Sequence, residues 1–117
     1  KAISLAPGNS YAYFLRGTAR IKLRQYLGAI DDLDRYIAYG SAAQPSIVSY
    51  AHAHELRGQV KIILGQYLDA VDDLTIAISW VPNNASTYNL RGLAYKAMGE
   101  IVKGDSDFLK AIQLGQK

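Results

Sequence analysis

Three arginines, Arg16, Arg57 and Arg91, are each followed sixteen residues later by an aspartate: Asp32, Asp73 and Asp107. A guanidinium near a carboxylate suits two kinds of chemistry. The arginines could form a ladder that binds anions, or each could grip its aspartate through a two-pronged ion pair. The aspartate repeats as faithfully as the arginine, which favours an ion pair between helices of one unit or of neighbouring units. His52, His54 and Glu55 invite a metal reading. Residues two apart on a helix face different sides, so the histidines cannot share one ion. His52 and Glu55 alone do not complete a zinc site. There is no cysteine, which excludes thiolate sites and disulfides. Asp31-Asp32 and Asp72-Asp73 are adjacent, so one of each pair faces outward. No phosphate loop and no nucleophile with a base and an orienting acid is present. The expectation is a protein that is not an enzyme and holds no cofactor or metal.

The elements that carry these residues repeat as well. Each arginine lies in a Leu-Arg-Gly triplet, ending at Gly17, Gly58 and Gly92. Twelve residues after each glycine comes another small residue (Ala29, Ala70, Gly104), and four later a bulky apolar one (Leu33, Leu74, Phe108). The second and third glycines lie 34 residues apart, and the first and second 41, one period plus seven. A period of this size marks a repeat array whose units bury their apolar faces only against neighbours. Within each unit apolar residues recur at helical steps, as in Leu27, Ile30, Leu33 and Ile37. The helices are expected over Ser10–Leu23 and Tyr26–Ala38, Ser46–Leu64 and Tyr67–Trp80, then Ala85–Met98 and Ile101–Leu114. Asn9 and Asn84 suit N-caps, Gly65 and Gly99 suit left-handed helix ends, and Pro82 stops a helix. Glycine in a helix costs about 0.5–1 kcal/mol relative to alanine. Its recurrence at one register therefore marks a close crossing of two helices.

This pattern resembles the tetratricopeptide repeat family. The third unit matches through Tyr88, Gly92, Ala94, Tyr95 and Gly99, the second through Gly65, Tyr67, Ala70, Leu74, Ala77 and Pro82. Arginine stands before each glycine where leucine is usual, Arg20 and Lys61 replace an aromatic, and Tyr36 replaces an alanine. The resemblance implies an all-α fold: a right-handed superhelical array of antiparallel helix pairs with a concave groove. The expected organisation of residues 1–117 is one domain, with repeats over 10–40, 48–82 and 85–114 and an insertion over 41–47. Residues 1–7 copy the end of the second repeat, Ala2 matching Ala77 and Pro7 matching Pro82, so they are expected to close a preceding repeat of a longer chain.

Half of the 117 residues are hydrophobic and the net charge is +3, ordinary for a globular domain and weak support for an anionic partner. No apolar run is long enough for a bilayer. The compartment is open, the cytoplasm being only the default. The leading expectation is a scaffold that holds a peptide or helix of a partner protein in the groove. On the family's geometry the lining is Tyr11, Phe14, Thr18, Ile21 and Lys22; His52, Glu55, Gln59, Ile62 and Ile63; and Ser86, Asn89, Leu93, Lys96 and Ala97. Tyr11 and Phe14 are expected to turn off the packed stripe toward the groove, whereas Tyr13, Tyr26, Tyr67 and Tyr88 keep the repeat register and pack. The resemblance also implies where a clamp for chaperone C-terminal carboxylates would sit. Phe14, Thr18, Leu56, Ser86 and Leu90 occupy those places, so no clamp is expected. Self-association or a spacer role is the alternative. RNA binding ranks last, because groove residues differ between units and few are basic.

Two expectations concern the connections. The insertion is read as a tolerated surface loop, with the next helix starting near Pro45 or Ser46. The outer faces Leu27, Ile30, Ile37 and Leu68, Val71, Ile78 are expected to be covered by the next unit. The third unit's Val102, Leu109 and Ile112, with Asp105 among them, are expected to be shielded by more chain or by a second copy.

Overall fold

The computed structural model describes residues 10–40 and 47–115. Six helices run along them: α1 (Ser10–Lys22), α2 (Tyr26–Gly40), α3 (Ile47–Ile63), α4 (Tyr67–Trp80), α5 (Ala85–Ala97) and α6 (Ile101–Gly115). They form three antiparallel pairs, and each pair packs on the next. Among the described residues α1 touches α3 and α3 touches α5, whereas no second helix touches another second helix. The first helices therefore line the inner, concave side and the second helices fan out behind them. Residues 1–7, Asn9, Pro45 and Ser46 lie outside the described residues.

The glycine crossings explain how the pairs close. A Cβ placed on Gly58 would stand 2.8 Å from Leu74 Cγ, and one on Gly92 would stand 2.8 Å from the Phe108 ring and 3.0 Å from the Gly104 carbonyl oxygen. The turns follow the same register. Gly65 (φ 80°) and Gly99 (φ 85°) end α3 and α5 in the left-handed region. In the first pair Arg24 occupies that position at φ 62°, a conformation that disfavours a side chain. Asn84 caps α5, its side-chain oxygen accepting from the Ser86 N–H at 3.0 Å.

Each repeated arginine grips its aspartate with two hydrogen bonds. Arg16 reaches Asp32 at 2.9 and 2.6 Å, Arg57 reaches Asp73 at 2.9 and 2.7 Å, and Arg91 reaches Asp107 at 2.8 Å twice. All three aspartates are buried while Asp31 and Asp72 face solvent. The same arginines also reach backward along the array. Arg57 donates to Asp34 of the first unit at 2.5 Å, and Arg91 donates to Thr75 of the second at 3.2 Å. The residues that depart from the family pattern join these pairs: Arg20 reaches Asp32 and Lys61 reaches Asp73, both at 3.1 Å. In the third unit Tyr95 keeps the usual aromatic and lies 5.6 Å from the Arg91 guanidinium. Burial opposes the charge of Asp73, but hydrogen bonds from His54, Arg57 and Lys61 outweigh it and hold the carboxyl well below the usual range.

The insertion is more than a loop. The α3 helix has 17 residues against 13 in α1 and α5. It gains an extra N-terminal turn that the other units lack, and this turn carries Tyr50. The Tyr50 hydroxyl donates to the Ile37 carbonyl at 2.6 Å, and its ring stacks on Trp80 at 4.6 Å and meets Tyr36 at 6.2 Å. Tyr36, in the place of an alanine, is fully buried beside Phe14 at 5.1 Å. The extra turn thus fastens the second unit to the first.

The outer faces behave differently from expectation. Leu27 is 75% and Leu68 64% exposed although a following unit is in place. Both sit in the first turn of their helix, beside the turn between paired helices and out of reach of the next pair. The 83% exposure of Val102, at the same register, is therefore not an end effect. What changes at the last unit lies further along the helix. Val71 is buried whereas Asp105 is exposed and paired with Lys96 at 2.9 Å, and Leu109 and Ile112 stand open.

Candidate peptide-binding groove

The concave face is built by the exposed sides of α1, α3 and α5. Their N-terminal halves make one line of side-chain contacts across all three. Tyr11 stacks on Phe14 at 5.4 Å, and Phe14 meets the His52 ring edge-on at 5.8 Å. His52 Nδ1 lies 3.3 Å from Glu55 Oε1, and Glu55 Oε2 accepts from the Ser86 hydroxyl at 2.8 Å. Five of the residues expected to line the groove are thus joined directly.

Two of them are not surface. Phe14 is only 8% exposed and belongs to the core cluster of Tyr13, Leu33, Tyr36 and Ala53. Tyr36 brings its ring inward where an alanine would have left Phe14 free, so the expected groove position becomes a core position. Glu55 is buried, its side chain 7% exposed. Burial would raise its carboxyl, yet hydrogen bonds from His52, Ser86 and Thr87 hold it below the ordinary range. Asn84 adds a long contact at 3.5 Å. Glu55 thus meets the first turn of α5, where N–H groups and the helix dipole favour a negative charge.

The remaining residues divide in two. Tyr11, Lys22, His52, Ile63, Ser86, Asn89, Leu93, Lys96 and Ala97 are exposed. Thr18, Ile21, Gln59 and Ile62 are half-buried. Ile21 packs on the first core cluster and Ile62 on that of Ala70, Val71 and Ala94, while the Thr18 hydroxyl turns back to the Phe14 carbonyl at 2.9 Å. Lys96 leans over α6, reaching Asp105 and lying 5.7 Å from the Phe108 ring. The missing side chain at Gly104 makes room for it, since a Cβ there would collide with Lys96 Cγ.

His52 and His54 point apart, as their spacing requires. His54 is buried and bonds Asp73 at 3.1 Å between the Tyr50 and Trp80 rings. Among the described residues no group of three or more His, Asp or Glu could hold a metal ion, and no helix is long and apolar enough to cross a membrane.

Sequence reasoning missed a small pocket of about 100 Å³ between α3 and the α4–α5 connection. Its walls are Val48, Ala51, Ala77 and Val81, with His52, Glu55, Asn84 and Thr87 supplying polar atoms. Val48 comes from the extra turn of α3, outside the repeat register, so nothing periodic marks it.

Two solved structures share this arrangement. A crystal structure of MamA matches over 96% of this chain and 61% of its own, with a TM-score of 0.83 and 28% identity. The chain is a tetratricopeptide-like helical solenoid. A crystal structure of MamA protein matches over 92% of this chain and 55% of its own, at a TM-score of 0.79 and 30% identity. The solenoid described here therefore spans less than two thirds of either MamA chain. No protein-family profile matches it, and neither does any curated protein sequence.

Proposed function

We propose that this solenoid is a protein–protein interaction scaffold that holds a peptide or a helix of a partner in the concave groove, and that it carries no enzymatic activity. The observation that supports this reading is the unbroken line from Tyr11 to Ser86, which ties three helices into one rigid face while leaving Tyr11, His52, Asn89 and Leu93 open to a ligand. A prearranged face binds with less ordering cost than a loose one. Selection of random twelve-residue peptides on the immobilised chain tests it. Selected peptides should lose about tenfold or more in affinity against Leu93→Glu, the scale of losing one buried apolar contact. Equal binding to Leu93→Glu and His52→Ala, with loss on Leu109→Glu, would move the site off the groove.

A second reading, self-association through the last pair, draws on the open Leu109 and Ile112. Sedimentation of Leu109→Glu beside the parent chain tests it; a parent chain that stays monomeric at high concentration would end it. RNA remains the least favoured ligand. Of the basic groove residues Lys96 is tied to Asp105, and a phosphate ligand would need several free ones.

A further inference from the structure

Four carboxylates are buried among the described residues: Asp32, Glu55, Asp73 and Asp107. The three aspartates each meet an arginine within hydrogen-bond distance. Glu55 does not. Its partners are an imidazole, an amide and two hydroxyls, and only a protonated His52 would bring a positive charge. The first turn of α5 contributes a partial charge of about +0.5, which leaves part of the carboxylate's charge uncompensated. A buried charge in that condition is costly unless something pairs with it. The pocket of about 100 Å³ opens at this carboxylate, with Val48, Ala51, Ala77 and Val81 as its apolar walls.

We infer that this pocket takes a lysine side chain of the bound partner, its methylenes against the four apolar walls and its ammonium on Glu55. The choice of lysine over arginine follows from the hydrogen bonds already made. Both oxygens of Glu55 are engaged, by His52 and Asn84 at Oε1 and by Ser86 at Oε2. A guanidinium fork needs two free acceptors side by side, whereas an ammonium is a point charge satisfied by one. The apolar walls match the stem of a lysine, which buries readily along such surfaces. The neutral donors keep the carboxylate ionised and aimed without neutralising it. The inference rests on the groove function proposed above and adds its specificity.

Two experiments test it. The first titrates the chain with n-butylammonium and, separately, n-butanol, following the methyl resonances of Val48, Ala51 and Ala77 by NMR. The ammonium should shift them saturably and at least tenfold more tightly than the alcohol. Glu55→Gln keeps the hydrogen-bonding shape and removes the charge, so it should erase that difference. Val48→Trp should block both probes at the rim without touching Glu55, with far-UV circular dichroism checking that each variant is folded. Equal response to both probes, or a difference that survives Glu55→Gln, overturns the inference. The second experiment reads the peptides selected on the groove. A lysine enriched at one position, and lost on Glu55→Gln, supports it. Selected peptides that bind the groove with no such lysine refute the pocket assignment while leaving the groove function standing; no selected peptide at all refutes both.

Discussion

Replacing each crossing glycine by alanine should give three different outcomes from one substitution. Alanine gains about 0.5–1 kcal/mol of helix propensity at every site. Against this stands the space at the crossing. On Gly17 the new Cβ meets Asp32 Cβ and Leu33 Cγ at 3.3 Å and the Ala29 oxygen at 3.4 Å, so neighbours need yield only a few tenths of an ångström. Gly17→Ala should be close to neutral, within about 0.5 kcal/mol. On Gly58 it meets Leu74 Cγ at 2.8 Å, a side chain fully buried and without room to turn. Overpacking of this kind costs about 1–3 kcal/mol, so the net loss should be about 1 kcal/mol. On Gly92 it meets the Phe108 ring at 2.8 and 2.9 Å and the Gly104 oxygen at 3.0 Å. The ring can swing toward the open end of the array but the backbone oxygen cannot, and the loss should reach about 2 kcal/mol. Urea unfolding of the three variants, read as midpoint shifts at constant slope, measures the series. A Gly92→Ala variant as stable as Gly17→Ala would refute the reasoning that helix approach holds these glycines.

Arg24→Gly should stabilise by about 0.5–1 kcal/mol, because relief of a left-handed side chain exceeds the added freedom of the unfolded chain; a lower thermal midpoint would contradict it. Tyr50→Phe should cost about 1 kcal/mol by removing the bond to the Ile37 carbonyl, visible as a lower urea midpoint with the ring stack on Trp80 retained. Removing the partner of Asp73 by Arg57→Met should cost about 3–5 kcal/mol, whereas Lys96→Met, at an exposed pair, should cost under about 1 kcal/mol; similar losses would mean that burial does not set the difference. The carboxyls of Asp73 and Glu55 are lowered in the folded chain. Their contribution is therefore complete above the unfolded carboxylate range, near pH 4–5, and is lost as pH falls below it toward the folded values. Glu55→Gln should make the acid limb of the stability–pH curve shallower, and an unchanged limb would count against the assignment.

The helices were legible because three copies of one pattern mark the same places. Gly65 and Gly99 announce the turns, and Asn84 the start of α5, since each does by its own chemistry what a helix end needs. The arginine–aspartate pairs were legible for a different reason: a donor and an acceptor that repeat together have each other as the simplest partner. The groove was read at lower resolution. Periodicity gives the direction in which Phe14 and Glu55 leave their helices but not what waits there. Phe14 is sealed by Tyr36, and Glu55 by the start of α5, both contacts between residues outside a common register. The extra turn of α3 was invisible for the same cause, because Val48, Ser49 and Tyr50 have no counterparts in the other units. Leu27 and Leu68 misled in the opposite direction: apolar character suggested cover, while their place in the first helical turn keeps them beyond any neighbour.

The backward reach of the arginines imposes a joining rule on the units. Arg57 finds an acceptor in Asp34 and Arg91 finds one in Thr75. The same place in the third unit holds Leu109, which accepts nothing. A copy of the second unit spliced after the first or the second would find its socket; spliced after the third, it would strand an arginine donor against a leucine. The units are thus not interchangeable beads but tiles with keyed edges, and the third tile's free edge is cut for an apolar neighbour. Duplicating units to lengthen this solenoid would accordingly succeed inside the array and need Leu109→Asp or Leu109→Thr at its end.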